Sequence, residues 1–126
     1  NSILVAMYGA TAGKVSLLTF EACSNQAVCG VIPTIENMLY YVYFHISSLY
    51  SHFITISTGS ARDNISQDTI KNILLPIPTK NILKLFDEKI GNIYQMIVNN
   101  YQQIDSLTKQ RDELLPLLMN GQASVG

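Results

Sequence analysis

The sequence predicts an α+β fold in which a small mixed globular domain is followed by one long helix of the coiled-coil type. Short apolar runs separated by turn residues fill 1–79, whereas apolar residues recur every three or four positions from Leu83 onward. The chain has 126 residues, of which 48% are hydrophobic, enough for one core. We therefore divide it into a partial globular domain over 1–79, a helix with its tail over 80–121 and a short end over 122–126.

The first apolar runs predict strands. Residues 3–7 are continuously apolar and residues 14–20 alternate, so the two stretches form a hairpin across the glycine turn at 9–13. Residues 27–32 predict a third short strand. The aromatic-rich stretch 39–44 predicts a fourth, because aromatic and β-branched residues favour strands.

The rest of the globular half predicts helices and loops. A helix is expected over 47–57, where apolar residues fall on one face, and a polar loop over 58–64. Ser66 is a suitable N-cap for a short helix over 67–72. The proline-rich stretch 73–78 predicts an extended edge, since proline cannot donate to a central ladder.

The second half predicts a long helix that begins near Thr79. From Lys80 to Leu114 it would measure roughly 52 Å, longer than a small domain can cover, so part of its apolar stripe must meet something else. Gly91 weakens this helix and Pro116 is expected to end or kink it. The alternative is a helix folded wholly onto its own domain. Ten positions form the stripe, of which eight are apolar: Leu83, Phe86, Ile90, Ile93, Ile97, Asn100, Ile104, Leu107, Arg111 and Leu114.

The flanks of this stripe indicate an antiparallel helix pair. They carry few charges, whereas a parallel zipper selects partners through ion pairs at those positions. Asn100 interrupts the stripe, and a buried polar residue of this kind can fix the register of two helices. The expected interface with a partner helix comprises Ile90, Ile93, Ile97, Asn100, Ile104 and Leu107.

The stretch Gly9-Ala10-Thr11-Ala12-Gly13-Lys14-Val15 raises the possibility of a phosphate-binding loop. A P-loop needs four residues between its glycines and a Ser or Thr after the lysine. Here three residues separate the glycines and Val15 follows Lys14. The alternative is a tight hairpin whose glycines adopt positive φ.

Charge and residue content limit the other function classes. The net charge is −1, and residues 1–79 carry only Lys14, Arg62 and Lys71 as basic side chains, which argues against strong binding of nucleic acid by the chain alone. Cys23 and Cys29 lack the spacing of a metal site and are expected to be buried, reduced thiols. His45 and His52 are expected to be structural. No catalytic constellation, metal site or cofactor is predicted.

Five stretches, in order and spacing, resemble the specificity subunit of type I restriction-modification enzymes. Each is weak alone, but together they span nearly the whole chain. They are Gly9–Val15, then Asn-Gln-Ala-Val at 25–28, Gly-Ser-Ala-Arg-Asp-Asn-Ile-Ser at 59–66, Leu-Pro-Ile-Pro at 75–78, and Arg-Asp-Glu-Leu-Leu-Pro-Leu-Leu-Met-Asn-Gly at 111–121.

The resemblance implies a target-recognition domain followed by a conserved helix. In that family two such units share a chain, their helices pack antiparallel between two DNA-reading domains, and methyltransferase (M) and restriction (R) subunits assemble with them. The present sequence holds one unit, begins without Met inside a strand-like run, and is most similar to the carboxy-terminal half of such a subunit. We therefore expect a fragment or half-subunit whose helix pairs with a second unit or with another copy.

The resemblance also implies which side chains contact DNA. The predicted DNA-binding residues lie on two polar loops: Thr11, Lys14, Ser60, Arg62 and Asn64. Lys14 suits a phosphate, whereas Arg62 suits either a guanine or phosphate contact or an ion pair with Asp63 or Asp68. Asn25 and Gln26 are expected to be buried amides that bond loop backbone groups rather than base readers.

Three functions remain open at this point. The first is a non-catalytic DNA-recognition module in the cytoplasm that directs methyltransferase and restriction subunits to a half-site. The second is an oligomerisation or scaffold module based on the helix alone. The third, a nucleotide-using enzyme, depends on the glycine turn and is disfavoured by its spacing.

Overall fold

The computed structural model describes residues 2–58 and 64–122. The chain forms two compact units, Asn1–Ile90 and Gly91–Gly126. The elements are β1 (Ser2–Ala6), β2 (Val15–Leu18), β3 (Val28–Val31), α1 (Leu39–Ser48), α2 (Tyr50–Thr58), α3 (Gln67–Lys71) and α4 (Lys80–Met119). The predicted α+β class is confirmed.

The sheet has the strand order β2-β1-β3, and both pairings are antiparallel. Leu4 of the central strand lies opposite Ser16 on one side and Gly30 on the other. Ile3 and Val5 are fully buried, while Ser2, Leu4 and Ala6, which alternate with them, are half-buried, as expected for a sheet with one face on the core. The predicted hairpin and third strand are confirmed.

The predicted strand over 39–44 is wrong, because this stretch forms the helix α1. Val42 and Ile46 are buried one helical turn apart, whereas Phe44 between them is 41% exposed. In a strand all three side chains would lie on the same face. The predicted helix over 47–57 is correct only in part, since α1 extends to Ser48 and α2 begins at Tyr50. Tertiary packing here overrides the strand propensity of the aromatic residues.

The core lies in the first unit, between the sheet and the helices. Phe53 of α2 and Ile65 are buried against the central strand's Ile3 and Val5. Among the described residues, the buried hydrophobic residues are Ile3, Val5, Met7, Ala12, Met38, Val42, Ile46, Phe53, Ile65, Ile70 and Leu83. All of them precede Ile90, so within the described residues this core belongs to the first unit alone.

Ser66 caps α3, as predicted, by accepting a hydrogen bond from the Thr69 amide at 3.0 Å. The segment 73–79 that follows is not a strand, contrary to the expected sheet edge. Side chains of α1 hold it: the Tyr41 hydroxyl donates to the Pro76 carbonyl at 2.7 Å, and the His45 Nε2 lies 3.1 Å from the Leu74 carbonyl oxygen. These contacts supply part of the bonding that a ladder would have given.

The helix α4 continues through Pro116 to Met119, so of the two expectations for this proline, an end or a kink, the end is wrong. It ends instead in a Schellman motif, where the Gln122 amide donates to the Leu117 carbonyl at 2.9 Å and Gly121 has a φ of 67°. Proline removes one donor, but its carbonyl still accepts from the Asn120 amide at 3.0 Å. The 40 residues of α4 make a helix about 60 Å long.

The early turns of α4 belong to the first unit. Leu83 is buried, and the Phe86 ring makes edge contacts with Tyr41 and Phe44 at centroid distances of 6.4 and 6.1 Å. No helix among the described residues is long and apolar enough to cross a membrane.

Candidate nucleic-acid interface

The loop between β1 and β2 is a compact turn built on two glycines. Gly9 and Gly13 have φ values of 70° and 83°, as the hairpin interpretation predicts. The amides of Ala12, Gly13 and Lys14 donate to carbonyls at 2.9, 2.8 and 3.0 Å within the loop or the adjoining strand. A phosphate cradle needs such amides free, so the loop does not have the construction of a P-loop.

Gly13 is buried and fixes the loop against the core. A Cβ atom there would lie 2.9 Å from the Phe53 Cβ and 3.4 Å from the Ile65 Cδ1. Thr11 and Lys14, in contrast, are exposed. The loop therefore has a packed base, and it presents the two predicted DNA-binding side chains to solvent.

The chain returns to this loop at Asn64. Tyr8 and Asn64 form an antiparallel bridge, and the Ile65 amide donates to the Met7 carbonyl at 2.8 Å. Ile65 is buried, which holds this segment in place. Three predicted DNA-binding residues, Thr11, Lys14 and Asn64, thus lie at one end of the sheet.

Two predicted residues, Ser60 and Arg62, lie outside the described residues. The segment 59–63 to which they belong leads directly into Asn64. Sequence reasoning missed Tyr8, an exposed aromatic residue beside Asn64. Its position immediately before the first glycine of the turn was the available signal.

The turn at Asn25 borders the same end of the sheet. The Asn25 Oδ1 accepts from the Ala27 amide at 2.9 Å, and the Ala27 carbonyl accepts from the Met7 amide at 2.8 Å. The structural role predicted for Asn25 is confirmed, but its predicted burial is wrong, since Asn25 and Gln26 are both exposed. A side chain that bonds its own turn can do so while facing water.

The two cysteines and the two histidines all lie outside the glycine turn. Both cysteines are free, but Cys23 is exposed and Cys29 only half-buried, so the prediction of buried thiols is wrong. His45 bonds the segment before α4, which confirms a structural role, and borders a cavity of about 450 Å³ shared with His52 and Phe53. Among the described residues, no group of three or more His, Cys, Asp or Glu could hold a metal ion.

A second cavity, of about 500 Å³, lies at the start of α4 and has a lining of mixed charge. Lys80, Lys84, Glu36 and Glu88 all border it. Burial, followed by repulsion from Glu36 and Glu88, raises the pKa of Asp87 above its usual range. The two lysines and two glutamates leave this lining without an excess of positive charge.

The second unit exposes the predicted partner interface. Ile93, Ile97, Ile104 and Leu107 are 54, 40, 59 and 63% exposed, and Asn100 is exposed as well. Ile90, the last residue of the first unit, is half-buried. No residue between Gly91 and Gln122 is buried. The stripe is therefore as apolar as a protein core, although water can reach it.

Comparison with known proteins identifies the family. The model of the type I restriction modification DNA specificity domain matches residues 1–115. The chain belongs to this family. The match extends over the globular unit and nearly all of α4.

Two relatives are specificity subunits. The chain is 29% identical over 116 residues to the type I restriction enzyme HindI specificity subunit of Haemophilus influenzae, which covers 90% of this chain and 25% of that protein. It is 30% identical over 86 residues to the MjaIX specificity subunit of Methanocaldococcus jannaschii, which covers 68% of this chain and 20% of that protein. The chain thus spans a quarter or less of the length of these relatives. No solved structure matches it.

Proposed function

We propose that this chain recognises one half of a bipartite DNA site and has no catalytic role of its own. In this proposal it acts in the cytoplasm and directs methyltransferase and restriction subunits to that half-site, without a cofactor. Family membership supports DNA recognition, and the names of both relatives describe specificity subunits of type I restriction enzymes.

The observation that carries the proposal is that Asn64 lies beside the glycine turn at one end of the sheet. The bridge between Tyr8 and Asn64 holds it there. Thr11 and Lys14 are exposed there, above a base formed by Gly13 and Ile65. An exposed cation on a rigid turn is suited to a DNA phosphate, which positions a protein on the duplex without reading its sequence.

The two parts of the chain take different roles in this proposal. Residues 1–79 read DNA, residues 80–121 form a spacer that pairs with another helix, and residues 122–126 are a tail. A scaffold without DNA recognition is not favoured, because the family match includes the globular unit as well as the helix.

Titration of a fluorescent duplex at several salt concentrations tests the proposal. We expect weak, steeply salt-dependent binding by the chain alone, because residues 1–79 hold only three basic side chains. Lys14→Ala is expected to weaken binding to all sequences equally and to reduce the salt slope by about one. Methyltransferase subunits are expected to tighten binding far more than any change within this chain.

Lys71→Ala is the matched control. Lys71 is also exposed in the first unit, but it lies in the last turn of α3 and its Nζ is 4.0 Å from an Asp68 carboxylate oxygen. We expect this variant to bind DNA as the native chain does. Equal losses from both variants, or nanomolar binding by the native chain at physiological salt, would contradict the proposed interface.

A further inference from the structure

The exposed stripe of the second unit has the same order of polar and apolar positions when it is followed from either end. Its positions continue the alternating spacing of three and four residues to Leu118, which is 40% exposed. Only two of them are polar, Asn100 and Arg111, and both are exposed. The eight positions are Ile93, Ile97, Asn100, Ile104, Leu107, Arg111, Leu114 and Leu118.

When two copies of the stripe pack antiparallel, polar positions can lie opposite polar positions and apolar positions opposite apolar ones. Two antiparallel helices related by a twofold axis make each contact twice. If residue i of one copy contacts residue j of the other, then residue j of the first copy also contacts residue i of the second. One register then sets Asn100 opposite the partner copy's Arg111, with apolar residues opposite one another everywhere else. The remaining pairs are Ile93 with Leu118, Ile97 with Leu114, and Ile104 with Leu107.

Other arrangements lose this match. Sliding the pair by one heptad sets Asn100 against Ile104 or Leu118, and sets Arg111 against Ile93 or Leu107. Each of those registers leaves a polar group facing an apolar one in the interface, which is unfavourable. A parallel pair sets two Arg111 guanidinium groups against each other, and like charges across an interface are repulsive.

The arginine has hydrogen-bonding capacity left for a partner. Its Nε and Nη2 atoms both donate to the Asp112 Oδ1, at 2.8 and 2.6 Å. A guanidinium carries five N–H donors, so three remain for an amide oxygen across the interface. The neighbouring carboxylate keeps the arginine charge compensated while it does so.

We propose that the stripe from Ile93 to Leu118 binds a second copy of this chain, antiparallel, with Asn100 of each copy hydrogen-bonded to Arg111 of the other. This inference deepens the helix-pairing part of the proposed function and rests on it. The apolar side chains of two copies expose an area on the order of 1,000 Å², near the lower limit of a specific interface.

Disulfide cross-linking tests the register, in a background with Cys23→Ser and Cys29→Ala. The pair Ile97→Cys with Leu114→Cys is expected to form a covalent dimer under mild oxidation, since the register places these positions opposite each other. The matched control, Ile97→Cys with Leu107→Cys, probes the register one heptad away and is expected to stay largely uncross-linked. Within one helix either pair is too far apart to bond.

A residue swap tests the polar pair independently. N100R sets two guanidinium groups opposite each other and is expected to raise the dimer dissociation constant by more than about tenfold. Adding R111N restores one arginine and one asparagine to each pair and is expected to recover most of the affinity. Both variants keep the exposed positions and the helix-forming sequence around them.

The outcomes separate the register from the wider proposal. Preferential cross-linking of the control pair, or failure of R111N to rescue N100R, overturns the register, while helix pairing as such stands. A native chain that sediments as a monomer at tens of micromolar overturns both the register and self-association. Neither result alters the DNA titration, which tests recognition separately.

Discussion

The two units of the chain use apolar residues in opposite ways. In Asn1–Ile90 the large apolar side chains include a continuous buried set, with Phe53 and Ile65 almost inaccessible to water. In Gly91–Gly126 the apolar residues of the stripe recur every three or four positions, yet none of the described residues is buried. Burial on this scale is the main stabilising contribution to folding. The first unit thus covers much of its own apolar surface, whereas the proposal assigns a partner helix to the exposed stripe of the second unit.

The largest expected effect breaks the second unit's association. Ile97→Glu with Ile104→Glu would bury two carboxylates from each copy in the helix pair, at a cost of several kcal/mol. We expect sedimentation to show the native chain as a dimer and this variant as a monomer whose first unit remains folded. Gln95→Glu with Gln102→Glu adds the same charge to the opposite face and is expected to remain a dimer. Dissociation of both variants would indicate a general charge effect.

The next effect tests the first unit's packing. Gly13→Ala is expected to lower the free energy of unfolding by about 2–5 kcal/mol, because the residue has positive φ and the added Cβ would meet Phe53 at 2.9 Å. Gly9→Ala is the control: its φ is 70°, but nothing lies within 4 Å of the added Cβ, so a loss of only about 1–2 kcal/mol is expected. Urea unfolding measures both, and equal losses would contradict the packing role of Gly13.

A smaller effect concerns base recognition. If Arg62 reads a base, Arg62→Ala is expected to lose about 1–3 kcal/mol of binding free energy at one position of the site. Competition between duplexes that differ at single positions measures this. A uniform loss over all sequences would assign Arg62 to the phosphate backbone. No loss would indicate an ion pair with Asp63 or Asp68.

The smallest effect lies at the cap of α3. Ser66→Ala removes the oxygen that accepts from the Thr69 amide and is expected to lower the free energy of unfolding by about 1 kcal/mol. Ser66→Asp retains an acceptor and is expected to stay close to the native value. Thermal unfolding compares the three proteins, and a loss in both variants would show that the cap is not the cause.

The sequence predicted the elements whose evidence is local. The glycine turn, the three strands and the Ser66 cap depend on residue types within a few positions of each other, and the structure confirms them. The strand predicted over 39–44 rests on its aromatic residues, which favour strands. The same residues also fit the spacing of a helix that packs on two surfaces, which is what the structure shows. Val42 enters the core, while Tyr41 contacts Pro76 and Phe86. Those partners are distant in sequence, so the pattern alone could not distinguish the two structures.

How the residues of the candidate site come together could not be predicted from the sequence. Family resemblance singled out the glycine turn and the 59–66 stretch, yet nothing local indicates that Asn64 pairs with Tyr8. Such pairing depends on the return of the chain after α2, a long-range feature. The end of α4 was missed for a related reason: Pro116 is a strong local signal, but the backbone bonds around Gly121 decide where the helix stops.

Hydrogen exchange followed by mass spectrometry at several protein concentrations tests the contrast between the two units most directly. Amides of the central strand, from Ile3 to Val5, are expected to be protected equally from submicromolar to tens of micromolar protein. Amides between Ile93 and Leu118 are expected to gain protection as the concentration rises, because a second helix then covers the exposed stripe. Strong protection of α4 that is independent of concentration would contradict the account, since it would mean that the second unit is stable without a partner.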